Sequence, residues 1–329
     1  MKCIVCGNND AYKFGLCTDC LSDKIKLKTS KMEITECPKC GSIKINKKWY
    51  YNNIEGVVKK QATANISADN SSSIRIINYS MNDKKMNIDL IVDDKNLGEI
   101  KKETDMDIKL IDESCPVCNR VTGSYYEAII QLRTFTTEYD DILNSARDSI
   151  VSYIKSLNKN NPNSFISRIE KKKEGLDIFL GRKEDAVKID KNLEDVYFMN
   201  LKITKSLAGR KDGKDMFRYT HLIRILDLLK GSIIYDKNYY MVKSISSNNI
   251  ELLSVDRKGT VNLNSKNFFR KPFSVIYKLP VMEKFIVLSS DSGETQIMNS
   301  ENFNIMSIKG KFENKEIVLY KYNGNYFNI

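Results

Sequence analysis

Eight cysteines occur in the chain, and every one belongs to a Cys-x-x-Cys pair. Such a pair places two sulfur atoms on one tight turn, where both can bind the same metal ion. Zinc prefers four ligands in a tetrahedron, so four pairs predict two structural zinc sites with sulfur ligands only. The predicted ligands are Cys3, Cys6, Cys17, Cys20, Cys37, Cys40, Cys115 and Cys118.

The spacing of the pairs indicates how they combine. The first two lie within residues 3–20, with ten residues between them, which suits one compact site. The pair at 37–40 then closes a second site with the pair at 115–118, and the residues between form an insertion carried by a zinc ribbon. Gly41 and Asn119 follow these pairs and suit a turn that ends in positive φ. A crossed pairing, first with third and second with fourth, stays open.

Two other uses of Cys-x-x-Cys pairs fit the sequence less well. Disulfide frameworks belong to secreted proteins, and we find no export signal behind the first residues. A redox motif would be one pair before a helix, not four pairs. Sites with four sulfur ligands have no open coordination position, so we expect both sites to stabilise the fold rather than catalyse a reaction.

The net charge is +11, and eight zinc-bound thiolates with two zinc ions would lower it to about +7. This bias favours contact with nucleic acid, because phosphates attract cationic side chains whatever the sequence. Solubility alone is the other explanation. The single histidine, His221, lies in an alternating segment, and we expect it to be a structural strand residue. No apolar run is long enough to span a membrane, so we expect a soluble cytoplasmic protein.

Between the third and fourth cysteine pairs, the alternation of apolar and polar residues predicts a β-rich insertion. The predicted strands are residues 57–67, 72–80, 86–94 and 99–112. Trp49, Tyr50 and Tyr51 precede this insertion and follow two lysines. Aromatic side chains beside lysines can stack on nucleic-acid bases, or they can pack against the zinc ribbon. We favour packing.

Strands and two helices predict an α+β domain after the last cysteine pair. Apolar residues recur at helical spacing over residues 136–158, where Thr136 or Thr137 would cap the helix. The second predicted helix covers residues 182–198.

Two predicted hairpins of this domain, residues 164–181 and 201–225, turn at basic tips. We expect these tips to contact RNA phosphates, although charged turns also serve solubility alone. Their basic side chains are Lys171, Lys172, Lys173, Arg210, Lys211 and Lys214.

From about residue 228 the sequence shows short strands and turns without a convincing helix, as in small β-barrels. The whole pattern is that of a multidomain, β-rich α+β protein. We predict a zinc-binding domain with a β-rich insertion at 1–123, an α+β domain at 124–227, a small β-barrel at 228–278 and a C-terminal β module at 279–329.

The segment "CPVCNRVTGSYYEAIIQLR", residues 115–133, together with the earlier cysteine pairs, resembles the archaeal branch of the Nmd-three family, the export adaptors of the large ribosomal subunit. Four further segments fit the family in order, and together they cover most of the chain. These segments are "KSLAGRKDGKDMFRYTHLIRI", "KGSIIYDKNYYMVKSI", "NFFRKPF" and "EKFIVLSSDSGETQIM".

The resemblance implies both a fold and a function. Members bind the large ribosomal subunit late in its maturation. Their zinc-binding region and a domain like translation factor five-A lie across the intersubunit face and its tRNA sites, and an SH3-like barrel and an OB-like module follow. The resemblance carries the eight cysteines over as zinc ligands. It also matches Gln131 and Arg133 to the family without assigning them a role.

In eukaryotic members, an exportin reads a signal in a C-terminal tail. The chain ends at "NYFNI" in a strand-like stretch, so we expect no exportin partner. The expected function is that of a monomeric, non-enzymatic assembly or anti-association factor with ribosomal RNA and ribosomal proteins as partners and no membrane contact. The alternatives are an RNA-modifying or RNA-cleaving zinc-ribbon enzyme, for which no cofactor motif or paired carboxylates are found, and a partner of the transcription machinery.

Overall fold

The computed structural model describes residues 1–69, 71–135, 141–255, 259–277, 279–291 and 293–328, without the side chains of Ser71, Ser72 and Lys211. The chain forms two compact units, Met1–Gly123 and Ser124–Ile329. Strands dominate both units, so the predicted β-rich, multidomain α+β fold is confirmed. Within these described ranges, no helix is both long enough and apolar enough to cross a membrane.

The first unit has three helices and eight strands among its described residues. They are α1 (Thr18–Ser22), β1 (Leu27–Thr29), β2 (Met32–Glu36), β3 (Ile43–Ile45), β4 (Lys48–Tyr50), α2 (Ile54–Ala64), β5 (Ile66–Ala68), β6 (Ser71–Met81), β7 (Lys85–Asp94), β8 (Gly98–Asp112) and α3 (Pro116–Thr122).

Six of these strands form one sheet in the order β4-β3-β2-β8-β7-β6. The strands β6, β7 and β8 are long neighbours that pair antiparallel. Alternate side chains of β7, including Met86, Ile88 and Leu90, are fully buried, as the alternation of the sequence predicts. The exception to antiparallel pairing is β2, which runs parallel to β8. This parallel pair decides where the third and fourth cysteine pairs meet.

The strand predicted at residues 57–67 is wrong, because most of that segment belongs to the helix α2. Val58 and Ala62, which are four residues apart and therefore share one helix face, are fully buried. Lys, Gln and Ala, which favour helices, fill the positions between and beside them. Only Ile66 and its neighbours adopt the extended conformation, in β5.

The second unit begins with the predicted α+β arrangement and continues with strands. Its elements are β9 (Ala128–Thr134), α4 (Asp141–Asn158), β10 (Ile166–Lys172), β11 (Gly175–Leu180), α5 (Lys183–Glu194), β12 (Met199–Lys211), β13 (Lys214–Ile225), β14 (Ile233–Asp236), β15 (Asn238–Ile245), β16 (Asn249–Ser254), β17 (Gly259–Asn264), α6 (Ser265–Phe268), β18 (Ser274–Tyr277), β19 (Val281–Ser290), β20 (Glu294–Asn299), β21 (Ile305–Lys309), β22 (Glu316–Tyr322) and β23 (Asn325–Phe327).

The α+β part is a five-stranded sheet in the order β10-β11-β9-β13-β12. The central strand β9 pairs antiparallel with β11 and parallel with β13. The helices α4 and α5 bury Ile150 and Ile189 in one core with Ile130 and Ile223 of the sheet. Thr136, Thr137 and the start of the helix predicted from residue 136 lie outside the described residues, and the described part of that helix is α4.

A glycine begins β11 for a steric reason. Gly175 has a φ of 147°, which side chains rarely tolerate. A Cβ atom there would lie 2.0 Å from the backbone oxygen of Leu132 on β9. The hairpin β10–β11 can therefore approach the central strand only because this position has no side chain.

Two further five-stranded sheets follow, in the orders β17-β16-β15-β14-β18 and β21-β20-β19-β22-β23. They agree with the expected small β modules, except for one short helix, α6. Phe198 and Leu226 of the α+β part share a core with Val242 of β15. Met241 of β15 in turn packs with Tyr322 of β22. The finer domain boundaries at residues 228 and 279 stay predictions.

Candidate metal centres and basic hairpins

The first cysteine cluster lies on two tight turns at the start of the chain. Gly7 and Gly15, with φ values of 67° and 75°, follow the first pair and precede the second. The second turn leads directly into α1, whose N-cap is Cys17, and the Cys17 sulfur accepts the backbone N–H of Cys20. The four ligand atoms of Cys3, Cys6, Cys17 and Cys20 all lie within 4.8 Å of one another.

The parallel pairing of β2 and β8 brings the second cluster together. Glu36 and Asp112 are partners at the ends of these strands, so the chain leaves both strands at the same edge of the sheet. Cys37 comes next on one side, and Cys115 follows three residues later on the other. The backbone N–H of Cys115 donates to the Cys37 sulfur at 3.4 Å. A strand pair therefore joins two half-sites that are far apart in sequence.

This second cluster contains Cys37, Cys40, Cys115 and Cys118, again with all ligand atoms within 4.8 Å of one another. The sequential pairing of the four cysteine pairs is thus confirmed, and the crossed pairing is wrong. Around the cluster, Lys39 donates to the Thr122 hydroxyl at 2.8 Å, which ties the turn of the third cysteine pair to the end of α3.

The sulfur geometry fits zinc. The Cys6 and Cys17 sulfurs lie 3.7 Å apart in the first cluster, and the Cys40 and Cys115 sulfurs lie 3.7 Å apart in the second. A tetrahedral site with zinc–sulfur bonds of about 2.3 Å has sulfur–sulfur edges of about 3.8 Å. All eight cysteines are free of disulfide bonds. Both clusters are therefore structural zinc sites with four sulfur ligands, as the sequence predicts.

Backbone hydrogen bonds lower the pKa of thiols in each cluster, most strongly at Cys3 and Cys37, and so prepare them for metal binding. The N–H groups of Cys6 and Cys17 lower the pKa of the Cys3 thiol to about 6. At Cys37, burial acts to raise the pKa, but several backbone N–H groups, that of Cys115 first among them, together lower it to about 6. These thiols are largely thiolates at neutral pH, and the thiolate is the form that binds zinc.

Another thiol in each cluster holds its proton more strongly. Hydrogen bonding with Cys17 raises the pKa of Cys20 to about 12. Burial, followed by hydrogen bonding with Cys40, raises the pKa of Cys118 well above its ordinary value. Zinc binding must therefore displace protons from these thiols, and zinc affinity will fall as the pH falls.

The two turns of the second cluster end differently. Gly41 has a φ of 69°, as expected for a turn that ends in positive φ. The same expectation for Asn119 is wrong, because Asn119 lies inside the helix α3. Cys115 caps this helix with its sulfur and Pro116 occupies its first position, where proline is well suited. The fourth cysteine pair thus starts a helix instead of closing a turn.

The aromatic residues before α2 pack against the first unit. Tyr50 lies on β4 and packs against the core. Burial raises the pKa of the Tyr51 phenol to about 12, with smaller contributions from Cys115 and Cys40 of the second cluster. Trp49 is half-buried, and Lys44 lies 5.5 Å from its ring centroid. Tyr50 thus packs against the core, the role that the sequence favours.

The two basic hairpin tips lie at opposite ends of the α+β sheet. Gly175 pairs with Lys172 on β10 and with Arg133 on β9. The turn after Lys172 therefore lies near the carboxyl end of β9. In the other hairpin, Tyr219 pairs with Ala128, the first residue of β9, and the turn lies just before Lys214. This hairpin therefore continues past the amino end of β9. At about 3.3 Å per residue, the tips are roughly 35 Å apart. They cannot form one continuous patch.

The tip side chains differ in their surroundings. Lys172 pairs with Glu170 at 2.7 Å, and the exposed Arg210 pairs with Asp215 at 2.9 Å. The exposed Lys173 and Lys214 have no ion pair with any described residue. The side chain of Lys211 lies outside the described residues. Asp212 and Gly213, both with positive φ, form the tight turn of the longer hairpin.

Gln131 and Arg133, whose role the sequence left open, surround a buried carboxylate on β11. Arg133 donates to Asp177 at 2.7 Å, and these two side chains are only 11% and 9% exposed. Arg133 also donates to the backbone oxygens of Leu132 and Leu176. Gln131 lies 3.5 Å from Asp177. These contacts fix the hairpin β10–β11 to the central strand. Asp177 could not be found from the sequence, because only the strand register places it beside Gln131 and Arg133.

His221 is a structural residue of β13, as predicted. Its Nδ1 atom lies 2.6 Å from Asp190 Oδ2 on α5, and the side chains are 2% and 6% exposed. A substrate cannot reach a pair that is covered by the helix. The clusters of metal-binding side chains found in the described part of the chain are the two closed cysteine sites.

Two family models match the chain. One, described as the N-terminal domain of NMD3, matches residues 3–123, and the other, described as the second domain of NMD3, matches residues 125–225. A search of curated proteins gives no significant match. The matched stretches cover most of the chain and include both zinc sites and the α+β sheet. The chain therefore belongs to the Nmd-three (NMD3) family of non-enzymatic ribosome biogenesis factors, which is associated with the large ribosomal subunit.

Proposed function

We propose that the protein binds the large ribosomal subunit late in its maturation, on ribosomal RNA and ribosomal proteins of the intersubunit face. A factor at that face also prevents association with the small subunit. Family membership over residues 3–225 is the observation that carries this proposal. The proposal includes an archaeal origin, a cytoplasmic location and action as a monomer.

The charge distribution supports contact with RNA at two separate points. The chain has a net charge of +11, and the two basic tips are roughly 35 Å apart. Beyond Tyr219, β12 and β13 pair only with each other and form a two-stranded arm that carries Arg210 and Lys214 to its end. An arm of this kind can reach a second segment of RNA while the sheet contacts the first.

Nothing in the described residues favours the enzyme alternative. Each zinc site has four sulfur ligands and no position for a substrate or water. The histidine is closed off by Asp190 and α5. The zinc sites are therefore parts of a rigid binding scaffold.

The test is sedimentation of the purified protein with isolated large and small subunits at low and raised salt. We expect migration with the large subunit only, and a steep loss as salt rises, because RNA binding releases counterions from phosphates. The two tips are reversed separately, in K171E/K172E/K173E and R210E/K211E/K214E. Each variant should bind large subunits more weakly and lose less affinity as salt rises.

The matched control is K155E/K188E/K191E, which reverses three exposed lysines on α4 and α5 with the same change in charge. It should bind as the unchanged protein does. Absence from large subunits at low salt would overturn the proposed function. Equal binding by the control and both tip variants would leave subunit binding in place and remove the proposed role of the tips.

A further inference from the structure

The α+β sheet of the second unit is covered by helices on one face only. Ala128, Ile130 and Leu132 of β9 point to the face that packs against α4 and α5. Their neighbours Ile129, Gln131 and Arg133 must point to the other face, because side chains alternate along a strand. The described helices α4 and α5 both pack on the first face, so neither covers the other one, which we call the open face.

The strand register shows which residues share the open face. One row across the sheet joins Arg168, Phe179, Ile129 and Thr220. Three basic side chains lie on the same face, because each is an even number of residues from Thr220 on β13 or pairs with a residue that is. They are Arg218 and Arg224 on β13 and Lys202 on β12.

The acidic residues of the open face do not neutralise these three cations. Asp177 is occupied by Arg133, and Glu170 pairs with Arg168 and Lys172 at 2.7 Å each. Within the described part of the chain, Lys202, Arg218 and Arg224 have no ion pair. Lys202 and Arg224 are exposed, and Arg218 is half-buried. The open face therefore presents uncompensated positive charge to solvent.

Aromatic rings contact two guanidinium groups of the open face, those of Arg218 and Arg168. The Cζ atom of Arg218 lies 4.3 Å from the ring centroid of Tyr126, and that of Arg168 lies 3.4 Å from the centroid of Phe179. The two rings touch edge to face, with centroids 5.0 Å apart. A guanidinium held against a ring is pre-organised, and its plane is a surface on which an unpaired base can stack.

We infer that the open face binds a single-stranded segment of RNA, with Lys202 and Arg224 on phosphates and Arg218 stacked on an unpaired base. A sheet face with cations and aromatic rings, backed by helices, has the chemistry that single-stranded nucleic acid needs. The inference deepens the proposed function and rests on it for the source of the RNA. It assigns binding to residues outside both hairpin tips.

Charge complementarity favours RNA over a protein partner. The unpaired side chains of the open face are cations, and the supported guanidinium offers a flat stacking surface that an acidic peptide would not use. A double helix would also leave the stacking surface unused, because its bases are already stacked. Single strands should therefore bind more tightly than duplexes or polyanions.

The first experiment measures the affinity of the full chain for an oligouridine of about 12 nucleotides, a length within the range that one binding module covers. The same measurement is made with a duplex RNA of that length and with polyglutamate. The variant K202E/R218E/R224E should bind the single strand at least about tenfold more weakly. The log–log slope of its affinity against salt should also become shallower by about 1.4, because Lys202 and Arg224 each neutralise one phosphate and each lost contact reduces the slope by about 0.7.

Two further variants separate the alternatives. The control K155E/K188E/K191E, with the same charge change on the helices, should bind as the unchanged chain does. R218K keeps the charge and loses the planar group, so it should bind the single strand about fivefold more weakly with an unchanged salt slope. Thermal unfolding and zinc content of every variant check that the fold is retained.

Several outcomes would overturn the inference. Equal binding by the open-face variant and the control would remove these residues from the RNA site. Equal affinity for duplex RNA, or for polyglutamate, would show that the open face attracts negative charge and does not stack on bases. Failure to bind oligouridine by a protein that still sediments with large subunits would reject the open face as an RNA site and leave the proposed function intact.

Discussion

The two units of the molecule hold distant parts of the chain together in different ways. In the first unit, Cys37 and Cys115 are 78 residues apart, and a cysteine cluster closes the chain between them. In the second unit, Arg133 and Asp177 are 44 residues apart, and a nearly buried ion pair joins them. One closure depends on a metal ion, and the other on side chains alone.

This difference makes the first unit conditional on its surroundings. The free energy of zinc binding becomes free energy of folding where the site does not exist in the unfolded chain. Such a unit responds to zinc and to pH, because its thiols must lose protons. The second unit should be indifferent to zinc, and its stability should depend on packing and on single buried contacts. Three experiments test this contrast.

Removal of zinc should have the largest effect, and only on the first unit. Structural zinc contributes roughly 10–16 kcal/mol in small modules, so chelation, or C115S at the second cluster, should unfold much of Met1–Gly123. Hydrogen exchange followed by mass spectrometry should show lost protection there and retained protection in residues 124–329. The unchanged protein should contain two zinc ions per chain.

The second unit serves as the internal control in this experiment. Equal loss of protection in both units would mean that they unfold together, and the contrast would fail. Unchanged protection of the first unit after complete zinc removal would show that its apolar core, which includes Ile34, Met86 and Leu90, is sufficient without the metal.

A single carboxylate should matter most in the second unit. D177A leaves Arg133, which is only 11% exposed, without its partner, and breaking a buried pair in this way costs about 3–5 kcal/mol. The matched control is D148A, because Asp148 pairs with Arg147 at the surface, where such pairs contribute about 1 kcal/mol or less. Denaturant unfolding measures both. Similar values for the two variants would show that the Arg133 contact has no special weight.

The sequence could predict the zinc sites because their information is local. A Cys-x-x-Cys turn sets the geometry of its own two sulfurs, and only the pairing had to be decided. The hairpin over residues 201–225 was equally accessible, since Asp212 and Gly213 favour a tight turn. Where local signals conflicted, prediction failed. The alternation of apolar and polar residues suggested a strand over residues 57–67, but burial of Val58 with Ala62 favours the helix.

Long-range features could not be read from the sequence. The parallel pairing of β9 with β13 sends the two basic tips to opposite ends of the sheet, and nothing near either tip records this pairing. The register also places Asp177 beside Arg133 and gathers Lys202, Arg218 and Arg224 on the open face. These residues looked ordinary in the sequence because their roles depend on strands distant along the chain.

The smallest predicted effect concerns the C-terminal sheet, where Glu283 joins β19 to β22. Lys321 and then Tyr326 donate hydrogen bonds to this carboxylate and hold its pKa below its ordinary value of about 4.5. A lowered pKa means that the carboxylate stabilises the fold above about pH 4.5 and that this stability is lost as the pH falls through the lower, folded value. E283Q should remove that part of the pH dependence.

The expected loss for E283Q is about 1 kcal/mol or less at neutral pH, because the network is partly exposed. Denaturant unfolding of the second unit between about pH 5 and pH 3 measures it, with E313Q as the control, since Glu313 is exposed and has no ion pair with a described residue. The unchanged protein and the control should lose stability with a steeper dependence on pH than E283Q. Parallel curves for all three would show that Glu283 does not set the acid sensitivity of this sheet.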